Sequence, residues 1–194
     1  MSEIPLKEPT PSDSTIPQAS DEACVLWHRR DLRLPDSRAV EYATAEYETV
    51  CPLFIFDPQF YESDGLACDA RLRFLHECLA DLADAYSDAE TTLIYGHGSP
   101  TAVLDTFLDR GWDVIATRNA TGRYGKRRDD ALAERDGVTF VAEEGIRDGQ
   151  TDRKGWQEHA ESYFEAPLNR LHESGTGRHR VATDITINAI EDAY

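Results

Sequence analysis

Val25-Leu26-Trp27-His28-Arg29-Arg30-Asp31-Leu32-Arg33-Leu34 is the stretch whose reading decides the fold. An apolar run ends abruptly in arginines and an aspartate. Four to six apolar residues without alternation read as a strand covered on both faces. The charges that follow place a polar rim at its carboxyl end.

Outward from it, strands and helices alternate from Ala23 to about Ala142. Cys24–His28 is the first strand. Helical spacing follows at Val40, Ala43 and Tyr47, with Asp36 or Ser37 as cap. Val50–Phe56 is the second strand, with Pro52 near its start. Asp57–Cys68 reads as a loop. Leu72, Leu75, Leu79, Leu82 and Tyr86 then form one apolar stripe on a helix that Asp69 would cap. Thr92–Tyr95 is a third strand, Gly96-His97-Gly98 a turn, and Ser99-Pro100 a capping hydroxyl before a proline at the first helical position. That helix carries Val103, Leu104, Phe107 and Leu108 and stops at Gly111. Asp113–Thr117 is a fourth strand, Tyr124–Arg135 a helix, and Val138–Ala142 a fifth strand.

This alternation calls for an α/β fold: a doubly wound, Rossmann-like five-stranded parallel sheet, here expected in the flavodoxin-like strand order. Three regions are expected: a disordered leader over 1–21, an α/β domain over 22–150, and an extension over 151–194. In the extension, Trp156 to Phe164 reads as an amphipathic helix ended by Pro167. Residues 173–180 read as loop, and Val181–Tyr194 as an extended piece followed by a turn of helix.

Thirty-seven acidic residues face 20 basic ones among 194, a formal net charge of −17. Such a surface repels itself unless salt screens it, so a halophilic cytoplasm is the expected setting. The same charge argues against autonomous DNA binding, whose affinity comes mainly from basic contacts to phosphates. No run is apolar enough to span a membrane, and no secretory signal is expected, since the N-terminus lacks a basic segment followed by an apolar core. Cys24, Cys51, Cys68 and Cys78 form no C-x-x-C pair, and reduced, mostly buried thiols are expected. No metal-ligand spacing and no nucleophile motif occur. The first strand-to-helix turn lacks glycine, and Gly96–Gly98 lacks the Lys-Ser/Thr of a phosphate loop, which disfavours a P-loop NTPase and an ordinary dinucleotide fold.

Five pieces, in order over residues 24–142, resemble the DNA photolyase/cryptochrome family: Val25–Leu34, Pro52–Pro58, Arg71–Leu82, Gly98-Ser99-Pro100, and Asn119 through Arg128-Asp129. Arg153–Leu168 is similar to the start of the interdomain connection in one subgroup. The resemblance implies an N-terminal domain that holds an accessory light-harvesting chromophore: a folate, a deazaflavin or a flavin nucleotide. It implies that the catalytic FAD, the DNA-binding surface and the electron-transfer tryptophans belong to a helical domain not expected in this chain. Trp27, Trp112 and Trp156 are therefore not read as an electron-transfer chain. A separate FAD-binding photolyase chain is the implied partner, this chain being half of a split deoxyribodipyrimidine photolyase in light-dependent DNA repair. The rival readings are an interaction module that holds no chromophore, and a fragment of a longer gene.

The candidate cofactor-binding residues are His28, Arg29, Arg30, Asp31, Asp57, Asn119 and Arg128; no catalytic residue is assigned. Arginine forks suit carboxylate or phosphate, and an internal Arg–Asp lock is the competing role for Arg29–Asp31. His28 stands where the family usually has an aromatic; it either stacks on a ligand or hydrogen-bonds at the strand end. Asp57-Pro58 either closes the pocket floor or forms a turn. Asn119 and Arg128-Asp129 either reach the ligand or form a turn and a solvated pair. Arg123, Lys126, Arg127 and Arg128 make the one basic cluster, either a phosphate or partner contact or a solvated face.

Overall fold

The computed structural model describes residues 11, 16–62, 65–118, 122–142, 154–168 and 179–194. Five parallel strands, β1 (Ala23–His28), β2 (Thr49–Phe56), β3 (Ile94–His97), β4 (Asp113–Thr117) and β5 (Val138–Val141), lie in the order β3-β2-β1-β4-β5. The doubly wound α/β expectation holds. The flavodoxin-like order does not: β3 lies outside β2, and the winding reverses between β1 and β4. Strand composition accounts for this. Val114, Ile115 and Ala116 of β4 are fully buried, as an inner strand requires, whereas β3 is short and carries a half-buried Tyr95 at the edge.

Helices cover both faces. Against one lie α1 (Arg38–Glu46) and α3 (Asp69–Asp88); against the other lie α4 (Pro100–Leu108) and α5 (Arg123–Ala133). β1 alternates between them. Cys24 and Leu26 pack with α1, while Ala23, Val25 and Trp27 pack with Val103, Leu104 and Phe107 of α4 and Leu132 of α5. Ser37 caps α1, its Oγ accepting from the Val40 amide at 3.4 Å.

Several local expectations are corrected. The segment after β2 is not all loop: Asp57 caps a short helix, α2 (Pro58–Tyr61), by accepting from the Gln59 amide at 3.1 Å. Cys68, not Asp69, is the cap residue of α3, and Asp69 lies in the first turn, where its charge suits the helix dipole. Gly96 and His97 belong to β3, because the imidazole is buried beneath the Tyr194 phenol; the turn comes only at Gly98, at φ 125°. Ser99 precedes α4, but its hydroxyl meets Thr101 Oγ1 at 2.9 Å instead of capping the helix. Cys24 and Cys51 are buried, Cys78 half-buried and Cys68 exposed, all as free thiols.

The disordered leader is also corrected over its described part. Ile16 is 2% exposed within the α4/α5 core, the Pro17 carbonyl accepts from the Trp112 indole at 2.9 Å, and the Ala19 amide donates to Arg110 O at 2.9 Å. One apolar side chain and two hydrogen bonds suffice to hold an extended, proline-flanked segment. The loop expected over 173–180 lies mostly outside the described residues. Beyond it Val181, Ile185 and Ile190 are buried in the same body, Ile190 on α7 (Ile187–Ala193), which Thr186 caps. α6 (Trp156–Glu165) forms as expected, with no buried residue. Among the described residues no helix is long and apolar enough to cross a membrane.

Anchoring by Ile16 is measurable. Ile16→Ala is expected to cost about 2–4 kcal/mol by chemical denaturation in molar salt, whereas Leu66→Ala, at a site 53% exposed, is expected to cost well under about 1 kcal/mol.

Candidate functional site

In an open sheet, ligands sit beyond the carboxyl ends of the strands where the winding reverses, here between β1 and β4. Strand alternation sends Trp27 and Arg29 to the α5 side of that rim, and Leu26 and His28 to the other.

On the α5 side a compact cluster forms. Arg29 Nη1 donates to Asp129 Oδ1 at 2.6 Å, and the two side chains are only 7% and 6% exposed. Arg29 Cζ lies 4.7 Å from the Trp27 ring centroid and 5.5 Å from that of Phe140. Arg128 Cζ lies 4.8 Å from the Trp27 ring and 5.6 Å from Tyr124, and its Nη2 donates to Asp129 Oδ1 at 3.3 Å. The Tyr124 hydroxyl donates in turn to Asp57 Oδ2, which ties α5 to the end of β2. Two guanidinium groups thus stack on one indole and share one carboxylate. Burial pulls the Arg29 pKa below its ordinary value, with Asp129 opposing that pull; burial and Asp57 together push the Tyr124 phenol up.

Arg29 is not fully satisfied. Its Nε and Nη2 are buried and take no hydrogen bond among the described residues. These two N–H groups form the side fork of the guanidinium, the edge that matches a carboxylate or phosphate bidentately. An unsatisfied buried donor costs about 1–3 kcal/mol, and more where it is charged.

Leu26, Trp27, His28, Arg29, Arg30, Asp31, Ser37, Ala39 and Thr117 also line a small cleft between the end of β1, the start of α1 and the end of β4. Its volume is about 10 Å³, room for roughly one water molecule. Asp31, half-exposed, meets Arg33 at 3.2 Å. His28 is spent inside the fold. Its Nδ1 faces Asp31 O at 3.4 Å, which makes Nδ1 the protonated nitrogen, and its Nε2 accepts from the Tyr86 hydroxyl of α3 at 2.6 Å. Burial pushes the imidazole pKa down to about 4, so it is neutral at ordinary pH.

The candidates read from sequence therefore share one rim but not one concavity. Arg29, Asp57 and Arg128 converge through Tyr124 and Asp129. His28 turns to α3, Arg30 and Asp31 line the small cleft, and Asn119 lies outside the described residues. Asp129, read from sequence as one half of a solvated pair or a ligand contact, is 5% exposed and holds both arginines. Trp27, Tyr124 and Tyr86 were not among the candidates. Period-two spacing from Arg29 points to Trp27; nothing local to β1 points to Tyr124 or Tyr86. Groups of three or more acidic, histidine or cysteine side chains that could hold a metal ion are absent among the described residues.

A family model described as DNA photolyase matches residues 24–145, more than half the chain. The deoxyribodipyrimidine photo-lyase of a Synechococcus strain is 31% identical over 110 residues, covering 56% of this chain and 22% of that protein. The (6-4)DNA photolyase of Arabidopsis thaliana is 34% identical over 104 residues, covering 50% and 18%. An archaeal photolyase from Sulfolobus tokodaii, solved with two FAD molecules, superposes with a TM-score of 0.67 at 20% identity, over 88% of this chain and 41% of that one. The chain thus spans about a fifth of the length of these two sequence relatives.

Burial of His28 sets a pH dependence. A histidine whose folded pKa is depressed below 6.5 contributes its full stability above about pH 6.5 and loses it as pH falls towards 4. The loss is roughly 3 kcal/mol. Unfolding free energies measured between pH 7 and pH 4 should show this fall in the natural chain, and a clearly shallower one in the paired variant His28→Phe/Tyr86→Phe.

Proposed function

Because the chain belongs to the DNA photolyase family, we propose that it acts as the antenna-type α/β half of such a protein, binding an accessory light-harvesting chromophore at its carboxyl rim. The observation that carries this reading is the convergence of Arg29, Arg128, Asp129, Tyr124 and Asp57 around the carboxyl end of the Trp27 strand. Aromatic faces beside arginines suit a polar heteroaromatic ring with an anionic arm. His28, Arg30, Asp31 and Asn119 complete the proposed set, His28 by fixing the shape of the rim through Tyr86. A folate, a deazaflavin and a flavin nucleotide all satisfy this description. In the Sulfolobus tokodaii photolyase the two FAD molecules imply a novel light-harvesting cofactor, which supports a chromophore of this class here.

The residues fit the arm of such a group better than its ring. A drug-sized ligand needs a site of roughly 300–1,000 Å³, whereas the α1-side cleft has about 10 Å³. The ring is therefore not assigned to that cleft. Its size favours a second reading: an interaction module of photolyase descent that holds no chromophore.

In the leading reading, excitation energy passes to FAD on a separate photolyase chain, which also supplies the DNA contacts and carries out the light-dependent repair of DNA. A net charge of −17 supports leaving DNA contact to that partner and supports a salt-rich cytoplasm as the setting.

The test is an absorption spectrum of the chain purified natively in molar salt, repeated after adding a reduced folate, a deazaflavin and flavin mononucleotide. A near-ultraviolet or blue band that co-elutes with the protein is expected. A featureless spectrum under all four conditions would establish the second reading in its place.

A further inference from the structure

We propose that the exposed cationic face of α5, made by Arg123, Lys126 and Arg127 with Arg118 just before them in the chain, is a contact surface for the phosphate backbone of a nucleic acid. This goes beyond the antenna reading and stands whether or not a chromophore binds.

The positive charge is concentrated, not scattered. Residues 118–128 hold five basic residues and no acidic one, in a chain where acidic residues outnumber basic ones by 37 to 20. Arg128 turns inward to Trp27 and Asp129. The other four, Arg118, Arg123, Lys126 and Arg127, are exposed. Arg123, Lys126 and Arg127 stand three and four residues apart on α5 and so share its outward face, while Asp129 and Leu132 are buried on the inward one. None of the four side chains meets an acidic group among the described residues. The nearby acids lie elsewhere or stand apart. Asp129 is held by Arg29 and Arg128, Asp57 accepts from Tyr124, and Asp130, one turn beyond Lys126, is exposed and makes no ion pair among the described residues. Nor does the arrangement serve the helix. Arg123 opposes the helix dipole in a first turn that carries no acid, and Arg123 and Arg127 repel one another across one turn.

The chemistry of the face selects its partner. Among the described residues no large apolar side chain is exposed on α5 or at the end of β4, whereas the centre of a protein–protein interface is apolar. Protein–nucleic acid contacts are polar and strongly cationic. The face is also open: a Cβ built on Gly122, at its edge, would meet nothing within 4 Å. Cations in a row on an open helix surface, with Cβ atoms about 5–6 Å apart, do not enclose a small anion but do follow a linear polyanion. Such contacts position a nucleic acid without reading its sequence. The acidity of the remaining surface keeps the chain's own hold weak and turns this face alone towards phosphate, so the contact adds to those of a DNA-binding partner.

The probe is a short DNA duplex, titrated into the natural chain with the amide signals followed by ¹H–¹⁵N NMR, which reads weak contacts. The titration begins at the lowest potassium chloride concentration that keeps the dispersed spectrum of the folded chain, and is repeated as the salt is raised. Signals of Arg118 and of residues 122–127 should shift together and saturably. Three phosphate contacts should make the logarithm of the association constant fall against that of the salt with a slope of about −3 for the duplex and about −2 for a single strand. Lys126→Gln and Arg127→Gln should each flatten the duplex slope by about 1. The triple variant Arg123→Gln/Lys126→Gln/Arg127→Gln should lose the shifts while keeping the spectrum of the folded chain. The proposal is overturned if no signal of α5 responds, or if the triple variant binds the duplex as the natural chain does. It is also overturned if poly-glutamate shifts the same signals as tightly as the duplex, which would assign the face to an acidic protein.

Discussion

The buried ion pair between Arg29 and Asp129 is the constraint on which the functional end of this molecule depends. It joins the last turn of chain after β1 to α5, one hundred residues later. Taking both charges out of water is costly, and a single hydrogen bond at 2.6 Å does not offset that alone. The surroundings supply the rest. Trp27 offers its ring to both arginines, Arg128 adds a second cation to Asp129, and Tyr124 carries the network on to Asp57. Without the pair, α5 keeps Leu132 in the core and the Tyr124–Asp57 hydrogen bond at the rim. The same pair fixes the direction of the Arg29 guanidinium between Trp27 and Phe140.

The sheet was legible because its inner strands are buried on both faces and read as unbroken apolar runs bounded by turn residues. Strand order was not, because it is set by which strands tolerate an edge. β4 carries Val114, Ile115 and Ala116 without a polar interruption, while β3 ends in Gly96 and His97. That contrast is what puts β3 at the edge. His97 misled for a related reason: a histidine beside two glycines looks like a turn, yet Tyr194, distant in sequence, covers it and satisfies Nε2. Ile16 was hidden by its prolines and acidic neighbours, since a lone apolar residue has no period to detect.

At the site, the run Arg29-Arg30-Asp31 was visible as charge placed where an apolar strand stops. What it could not disclose was which face each side chain takes. Strand alternation separates His28 from Trp27 and Arg29, so adjacent residues serve different purposes: one anchors α3 through Tyr86, the other α5 through Asp129. The partners come from distant helices and are recognised only in space. Asp129 looked like half of a solvated helical pair because its neighbours are Arg127, Arg128 and Asp130; tertiary packing buries it.

A family fold sets the rim, alternation divides its charges, and a desolvated arginine on an indole face joins β1 to α5. The most direct measurement is a double-mutant cycle on Arg29→Met and Asp129→Leu, read by unfolding free energy in molar salt. A coupling of about 2 kcal/mol between the two changes is predicted, with the double variant more stable than the sum of the single losses implies. Losses that add to within about 0.5 kcal/mol would show that the two side chains do not act as a pair, and would contradict a rim organised around them.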